Sequence, residues 1–272
     1  MLTVLLILLA AFLACAYALG FDPAFLRAGL WCLLGFVALN ILFVLFWVAV
    51  AQTADDTKPI ERQKPIYRRG VAIIACWLCW WARVRVKLSG GDKLPTEGRF
   101  VLISNHRSGF DPVVTAARLR NYNLAFISKP SNLKLLYVGK LAYGAGFLPI
   151  DRENDRAALK TILTAADYLK KDFCSIAIYP EGTRSKTGAL LPFHAGSFKI
   201  AQKANVPIVI ACVSGTEQIR HRWLFRSTTA ELRILELLPA ERVKAMSTQE
   251  LAAYSKEKIE EALGLEHGEA EA

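Results

Sequence analysis

Apolar positions dominate the start of the chain in two blocks. Leu2 to Leu19 reads as one apolar run, and Ala28 to Ala51 as a second, broken by Asn40 and a few small residues. Each is about the length that crosses the hydrocarbon core of a bilayer, roughly 20 residues. Between them, Gly20-Phe-Asp-Pro23 supplies a glycine and a proline where helices must stop, so the pattern predicts two antiparallel membrane helices over residues 1–57. Two full spans and a hairpin that enters one leaflet and returns leave the same marks. A signal peptide would carry basic residues ahead of its apolar segment, and none precede Leu2. Lys58, Arg62, Lys64, Arg68 and Arg69 follow the second block. Such a cluster stays on the cytoplasmic side and pairs with anionic headgroups, which places residues 58–272 in the cytoplasm.

Beyond residue 70 the periodicity changes. Val71–Trp81, rich in tryptophan, reads as a helix lying at the interface. Short β-rich runs then alternate with longer helical ones. Strands are predicted at Val84–Leu88, Phe100–Ser104, Leu124–Ile127, Ser175–Tyr179, Val206–Val213 and Glu231–Leu238. Helices are predicted near Pro112–Leu119, Leu133–Tyr143, Arg156–Lys171 and Phe198–Ala204. This alternation argues for an α/β domain with a mainly parallel sheet covered on both faces. Ser247–Leu263 closes the chain as an amphipathic helix behind a Ser-Thr-Gln-Glu start, followed by an acidic tail.

Composition sharpens the picture. Of 272 residues, 53% are hydrophobic and 21% charged, too apolar for an ordinary soluble domain. Of the 34 basic residues, 33 lie from Lys58 onward, against 21 of the 24 acidic ones, a net +12. Residues 241–272 carry −4, which leaves +16 for residues 58–240. The middle of the protein therefore faces an anion: nucleic acid, a phospholipid surface or a phosphorylated substrate. The apolar start favours lipid over nucleic acid. Six cysteines form no dense framework and are expected reduced; Cys76-Trp-Leu-Cys79 has redox spacing but lies within an apolar run.

Two motifs follow predicted strands, at the strand ends where α/β sheets collect ligands. After Phe100–Ser104 comes Asn105-His106-Arg107-Ser108-Gly109-Phe110-Asp111. That spacing lets a carboxylate accept a hydrogen bond from one imidazole nitrogen and leaves the other free to take a proton from a hydroxyl. After Ser175–Tyr179 comes Pro180-Glu181-Gly182-Thr183-Arg184-Ser185. Here Pro and Gly shape a tight turn, and Arg184 offers a planar fork suited to phosphate. Each has a plainer reading on its own, as a structural His–Asp pair and as a turn carrying a surface Arg. Between them, Phe147-Leu-Pro-Ile-Asp151-Arg152 ends a third apolar run in an acid–base pair. Two candidate ligands, His106 and Asp111, with no third nearby are too few for a closed metal site, so no metal is expected.

In this order and at these separations, the segments resemble the motif set of the 1-acylglycerol-3-phosphate O-acyltransferase family, over about Arg83 to Val213. The Asn-His-x-x-x-x-Asp block is met by Asn105, His106 and Asp111, and the Pro-Glu-Gly-Thr-Arg-Ser block by Pro180–Ser185. A Phe-x-x-Asp-Arg type block is met loosely by Phe147 to Arg152, and a Val-Pro strand start by Val206-Pro207. The resemblance implies transfer of a fatty acyl group from acyl-CoA or acyl carrier protein to the sn-2 hydroxyl of 1-acyl-sn-glycerol 3-phosphate, giving phosphatidic acid. It makes His106 a general base and Asp111 its orienting carboxylate, with no cofactor. Arg152, Glu181, Gly182, Thr183 and Arg184 become substrate contacts, with Lys129 and Lys199 further out. Ser108 is a rival nucleophile, although the acceptor already brings the hydroxyl to be acylated. One departure stands out: family members often carry Phe-Lys-(Lys)-Gly where this chain has Phe193-His194-Ala195-Gly196. That keeps open another acceptor, a lysophospholipid with a different headgroup or an amino-lipid. A non-enzymatic lipid-binding protein would account for the hairpin and the charge, but not for the motifs.

Overall fold

The computed structural model describes residues 11–12, 14–20, 22–56, 60, 64–151, 153–185, 189–222 and 226–265. Its contacts divide the chain into two units, Met1–Ala49 and Val50–Ala272.

In the first unit the described residues between 11 and 18 are helical, and the rest of the first apolar run lies outside the described residues. The two-helix hairpin is therefore seen only in part. After it, the Asp22 side chain accepts from the Ala24 amide at 2.8 Å and starts helix α1, Pro23–Gln52. Among the described residues, one helical stretch, Leu26–Gln52, is long and apolar enough to cross a membrane.

The second unit is built on a seven-stranded sheet in the order β1-β7-β6-β2-β5-β3-β4. The strands are β1 Val84–Ser89, β2 Val101–Ser104, β3 Leu124–Ser128, β4 Leu148–Pro149, β5 Ser175–Ile178, β6 Ile208–Ser214 and β7 Thr228–Leu238. Strands β6, β2, β5, β3 and β4 run parallel; β7 is antiparallel to β6, and β1 pairs with β7 in parallel. The two-residue β4 is too short to leave an alternation in the sequence.

Alternate residues of β2 enter two different cores. Val101 and Ile103 join a cluster with Ile162, Ala165, Ile200, Ala201, Leu251 and Ile259. These come from the later helices Asp155–Lys170, Lys199–Ala204 and Thr248–Leu263. Leu102, with Phe100 just before the strand, joins Ala75, Cys79, Val114 and Leu119 on the other face. That face is covered by α2, Pro65–Trp81, and α3, Asp111–Arg118. Three layers follow, and a strand buried on both faces must be mainly apolar, as Val101, Leu102 and Ile103 of β2 are.

Two expectations need correction. Helix α2 is a layer of the domain rather than an element resting on the interface alone: Tyr67, Gly70, Ala75 and Cys79 are buried, and small Gly70 and Ala75 let it lie close to its neighbours. The helix expected over Leu133–Tyr143 is broken into α4, Pro130–Leu133, and α5, Val138–Gly144. Tyr137 interrupts it with φ 63°, outside helical space. The remaining helices are α6 Asp155–Lys170, α7 Lys199–Ala204, α8 Ile219–Arg222, α9 Ala240–Ala245 and α10 Thr248–Leu263. All six cysteines are free, and burial pushes Cys79 up to about 11 and Cys174 up to about 12.

Candidate active site

Strand β2 leads past its neighbour β5 through α3, on one face of the sheet, to β3, while β5 leads back past β2 through α7, on the other face, to β6. In open α/β sheets ligands bind at the carboxyl ends of the strands. His106 follows β2, Glu181 follows β5 and Thr216 follows β6, so three neighbouring strand ends bring them to one edge of the sheet.

Asp111 is the first residue of α3 and is fully buried. Its Oδ2 accepts from His106 Nδ1 at 2.8 Å and from the backbone amides of Arg107 and Ser108, each at 2.7 Å. Its Oδ1 accepts from the Thr216 hydroxyl. Four donors thus satisfy both carboxyl oxygens. With Nδ1 committed to the carboxylate, Nε2 of a neutral His106 ring is the free acceptor. The imidazole lies against the Tyr179 ring, with centroids 4.5 Å apart and planes 19° from parallel. Tyr179 in turn stacks on Phe126, and Phe126 meets Phe147 at 5.2 Å. One face of the base is thus closed by an aromatic row. Burial, with Asp111 nearby, pushes the Tyr179 phenol well above its ordinary value.

Glu181 holds the two motifs together from within. One carboxylate oxygen accepts from the His106 amide at 2.6 Å and the other from the Leu191 amide at 3.1 Å. The Ser185 amide closes the contact by donating to the His106 carbonyl at 3.0 Å. Burial raises Glu181, while those two amides and the His106 ring pull it back toward the charged form. Gly182, at φ 76°, makes the turn between them in a conformation that other residues rarely adopt. Asn105 supports the base from behind. Its side chain donates to the Val213 carbonyl at 2.9 Å and accepts from the Val213 amide at 2.8 Å, continuing the β2–β6 ladder as a peptide group would.

The candidate residues separate into two sets. His106, Asp111, Glu181 and Gly182 form one bonded unit, while Thr183 and Arg184 are exposed beside it. The Arg184 guanidinium passes over the loop, 3.6 Å from where a Cβ on Gly109 would sit. Lys129 directly follows β3 and is exposed, and Lys199 is exposed at the start of α7. Arg152 lies outside the described residues. Ser108 donates its backbone amide to Asp111, and its hydroxyl accepts from the Phe110 amide at 3.2 Å. Tyr179, which opens the second motif, belongs to the unit, and so does Thr216, which no motif singled out. A strand end after an apolar run marks both positions, and only the fold brings Thr216 to Asp111, 105 positions away.

Residues 85–214 match the family model described as Acyltransferase. The "1-acyl-sn-glycerol-3-phosphate acyltransferase" of Salmonella typhimurium is 35% identical over 167 residues, which span 60% of this chain and 66% of that protein. The Escherichia coli K12 protein of the same name is 36% identical over 168 residues, with the same shares. The human protein named "1-acyl-sn-glycerol-3-phosphate acyltransferase alpha" is 29% identical over 58% of this chain and 56% of its own length. This chain therefore matches just under two thirds of the bacterial relatives. Among solved structures, the 1-acyl-sn-glycerophosphate acyltransferase PlsC of Thermotoga maritima aligns with a TM-score of 0.60 at 23% identity, over 72% of this chain and 78% of that one, and so shares its fold. Residues 85–214, then, are the part of the chain that is similar to the Acyltransferase family.

Proposed function

We propose that this protein is a membrane-associated acyltransferase that moves a fatty acyl group from acyl-CoA or acyl carrier protein to the sn-2 hydroxyl of 1-acyl-sn-glycerol 3-phosphate. The product would be phosphatidic acid, made at a bacterial inner membrane with the catalytic domain on the cytoplasmic side. The observation that carries the reading is the His106–Asp111 pair at 2.8 Å, with the carboxylate fully buried and satisfied on both oxygens. Nε2 of His106 takes the proton as the acceptor hydroxyl attacks the thioester carbonyl. The tetrahedral intermediate then expels the thiolate, and the imidazolium returns the proton to it. Asp111 holds the tautomer and stabilises the imidazolium between the two transfers. The acceptor hydroxyl is itself the nucleophile, so Ser108 has no covalent role. Arg184, exposed beside the His106 loop, is assigned to the acceptor phosphate, with Arg152, Lys129 and Lys199 as further cations on its approach.

A second acceptor class is favoured by one observation. The His194 amide donates to the Pro180 carbonyl at 2.9 Å, which fixes the altered Phe193–Gly196 stretch beside the Pro180–Ser185 turn. On this second reading the acceptor is a lysophospholipid with a different headgroup or an amino-lipid, contacted by that stretch.

The test is an assay of full-length protein in detergent with labelled lysolipids of several headgroups and both donor types. His106→Ala should abolish transfer, and Asp111→Asn should lower it by about four decades, as in a comparable triad. Near-normal activity in His106→Ala would overturn the general-base assignment. Arg184→Ala should raise KM for the lysolipid far more than KM for the thioester, since a fork to phosphate binds one substrate only. Equal effects on both would assign this arginine elsewhere.

A further inference from the structure

The chain between β3 and β4 has features that neither the sheet nor the active site requires. It carries three basic residues (Lys129, Lys134 and Lys140), and no acidic residue lies anywhere from residue 112 to residue 150. In the middle stand Leu135, Leu136 and Val138, exposed to 56%, 75% and 61%. Three consecutive-region aliphatic side chains held in water are costly for a surface loop, where single exposed apolar residues are the rule.

Their exposure is built in. The Val138 amide donates to the Leu136 carbonyl at 2.7 Å across Tyr137, whose φ of 63° and ψ of −47° make a γ-turn of the rare, strained kind. The Gly139 amide donates to the Leu135 carbonyl at 2.8 Å. A Cβ on Gly139 would sit 2.0 Å from the Leu133 carbonyl oxygen, so the loop closes on itself at a point only glycine permits. The body behind it is firm. The Tyr67 ring of α2 lies 2.6 Å from where a Gly144 Cβ would be, which shows α5 seated directly on α2. On α2, exposed Ile66, Ile73 and Trp80 recur every seven residues along one face, near Lys64, Arg68 and Arg69.

We propose that the loop 134–138 inserts into an anionic phospholipid bilayer. Leu135, Leu136 and Val138 would enter the acyl region, while Lys134 and Lys140 pair with the headgroups. This rests on the acyltransferase reading for its purpose but not for its chemistry. The acid-free stretch rules in a negatively charged partner, and an apolar tip ringed by lysines matches a surface that is anionic outside and hydrocarbon within. The segment begins at Lys129, directly after β3, on the sheet edge that bears His106. An inserted loop would therefore hold that edge against the layer in which a lysolipid's single chain resides. It would be a contact made by residues 50–272 themselves, additional to any anchoring by the N-terminal helices.

The experiment has two arms on the full-length protein. In the first, a nitroxide is placed on Leu136→Cys in a background with Cys15, Cys32 and Cys76 changed to Ser, and the protein is reconstituted in vesicles of 3:1 phosphatidylcholine to phosphatidylglycerol. Insertion predicts a label accessible to oxygen and shielded from a water-soluble nickel chelate. A label fully open to nickel in those vesicles overturns the proposal. In the second, Leu135→Ser/Leu136→Ser is compared with wild type on lysolipid in the same vesicles and on a short-chain acceptor below its micellar concentration. The expected result is a rise of roughly tenfold or more in KM for the vesicle substrate, from the lost apolar burial, with the soluble substrate unchanged. Equal losses on both would show that the loop shapes the active site instead. Wild-type protein inactive on every acceptor would overturn the acyltransferase reading, while the nickel arm would still decide where the loop lies.

Discussion

Asp111 has no exposed surface, and every strong contact it makes is with a donor. A carboxylate so placed works as a fixed negative end for the His106 ring, and the quality of that end depends on Thr216. Thr216→Val keeps the shape of the side chain and removes the hydroxyl that donates to Oδ1. Leaving a buried carboxylate oxygen unpaired costs about 1–3 kcal/mol. The expected outcome is a kcat lowered by about tenfold or more with KM little changed, read from steady-state acyl transfer by the full-length protein. An unchanged kcat would show that the two amides alone hold Asp111. His106, Asp111, Glu181 and Gly182 were all legible in the sequence because short motifs place them. Thr216 was not, because its partner is brought to it by the adjacency of β6 and β2.

Among the elements, helix α10 illustrates how closely local chemistry dictates a boundary. The Ser247 side chain accepts from the Glu250 amide at 3.2 Å, and the Glu250 carboxylate accepts from the Ser247 amide at 2.6 Å. This reciprocal cap explains why a helix begins at Thr248 and why Glu250 sits below its ordinary value. Its inner face carries Leu251 and Ile259 into the core against α7 and the sheet. Ser247→Ala should destabilise the protein by about 1 kcal/mol. A thermal melt should show the midpoint lowered by about 2–4 °C, the scale for a domain of this size, with acyl transfer unaffected at low temperature. The expected helix Leu133–Tyr143 failed for the opposite reason. Its apolar residues have helical spacing, but Leu135, Leu136 and Val138 have no core to face, and a γ-turn at Tyr137 replaces the missing turn.

For the molecule as a whole, the buried neutral acids set an alkaline limit. Burial raises Cys79 and Cys212 to about 11, and Cys174 and Tyr168 to about 12, from ordinary values of 9.0 for the thiols and 10.0 for the phenol. The unfolded chain releases these protons first, so between about pH 9 and 12 the folded state binds more protons and stability falls as pH rises. The urea midpoint of the detergent-solubilised protein should accordingly be lower at pH 10.5 than at pH 8, and Cys174→Ala/Cys212→Ala should flatten the difference. An unchanged midpoint would mean these groups are reached by solvent. What the sequence determined by itself was everything carried by spacing over a few residues. That covers the second apolar block, the alternation of strands and helices, the capping box of α10, and the two motifs at strand ends. Periodicity suffices there because each pattern buries one face or closes one turn without help from distant residues. The tertiary structure decided which strands are neighbours, that β7 runs against β6, and that α2 belongs to the domain. It also decided that Thr216 and Tyr179 complete the site around His106. Those depend on contacts between residues tens of positions apart, and nothing in a local pattern specifies which of several apolar strands will lie beside another.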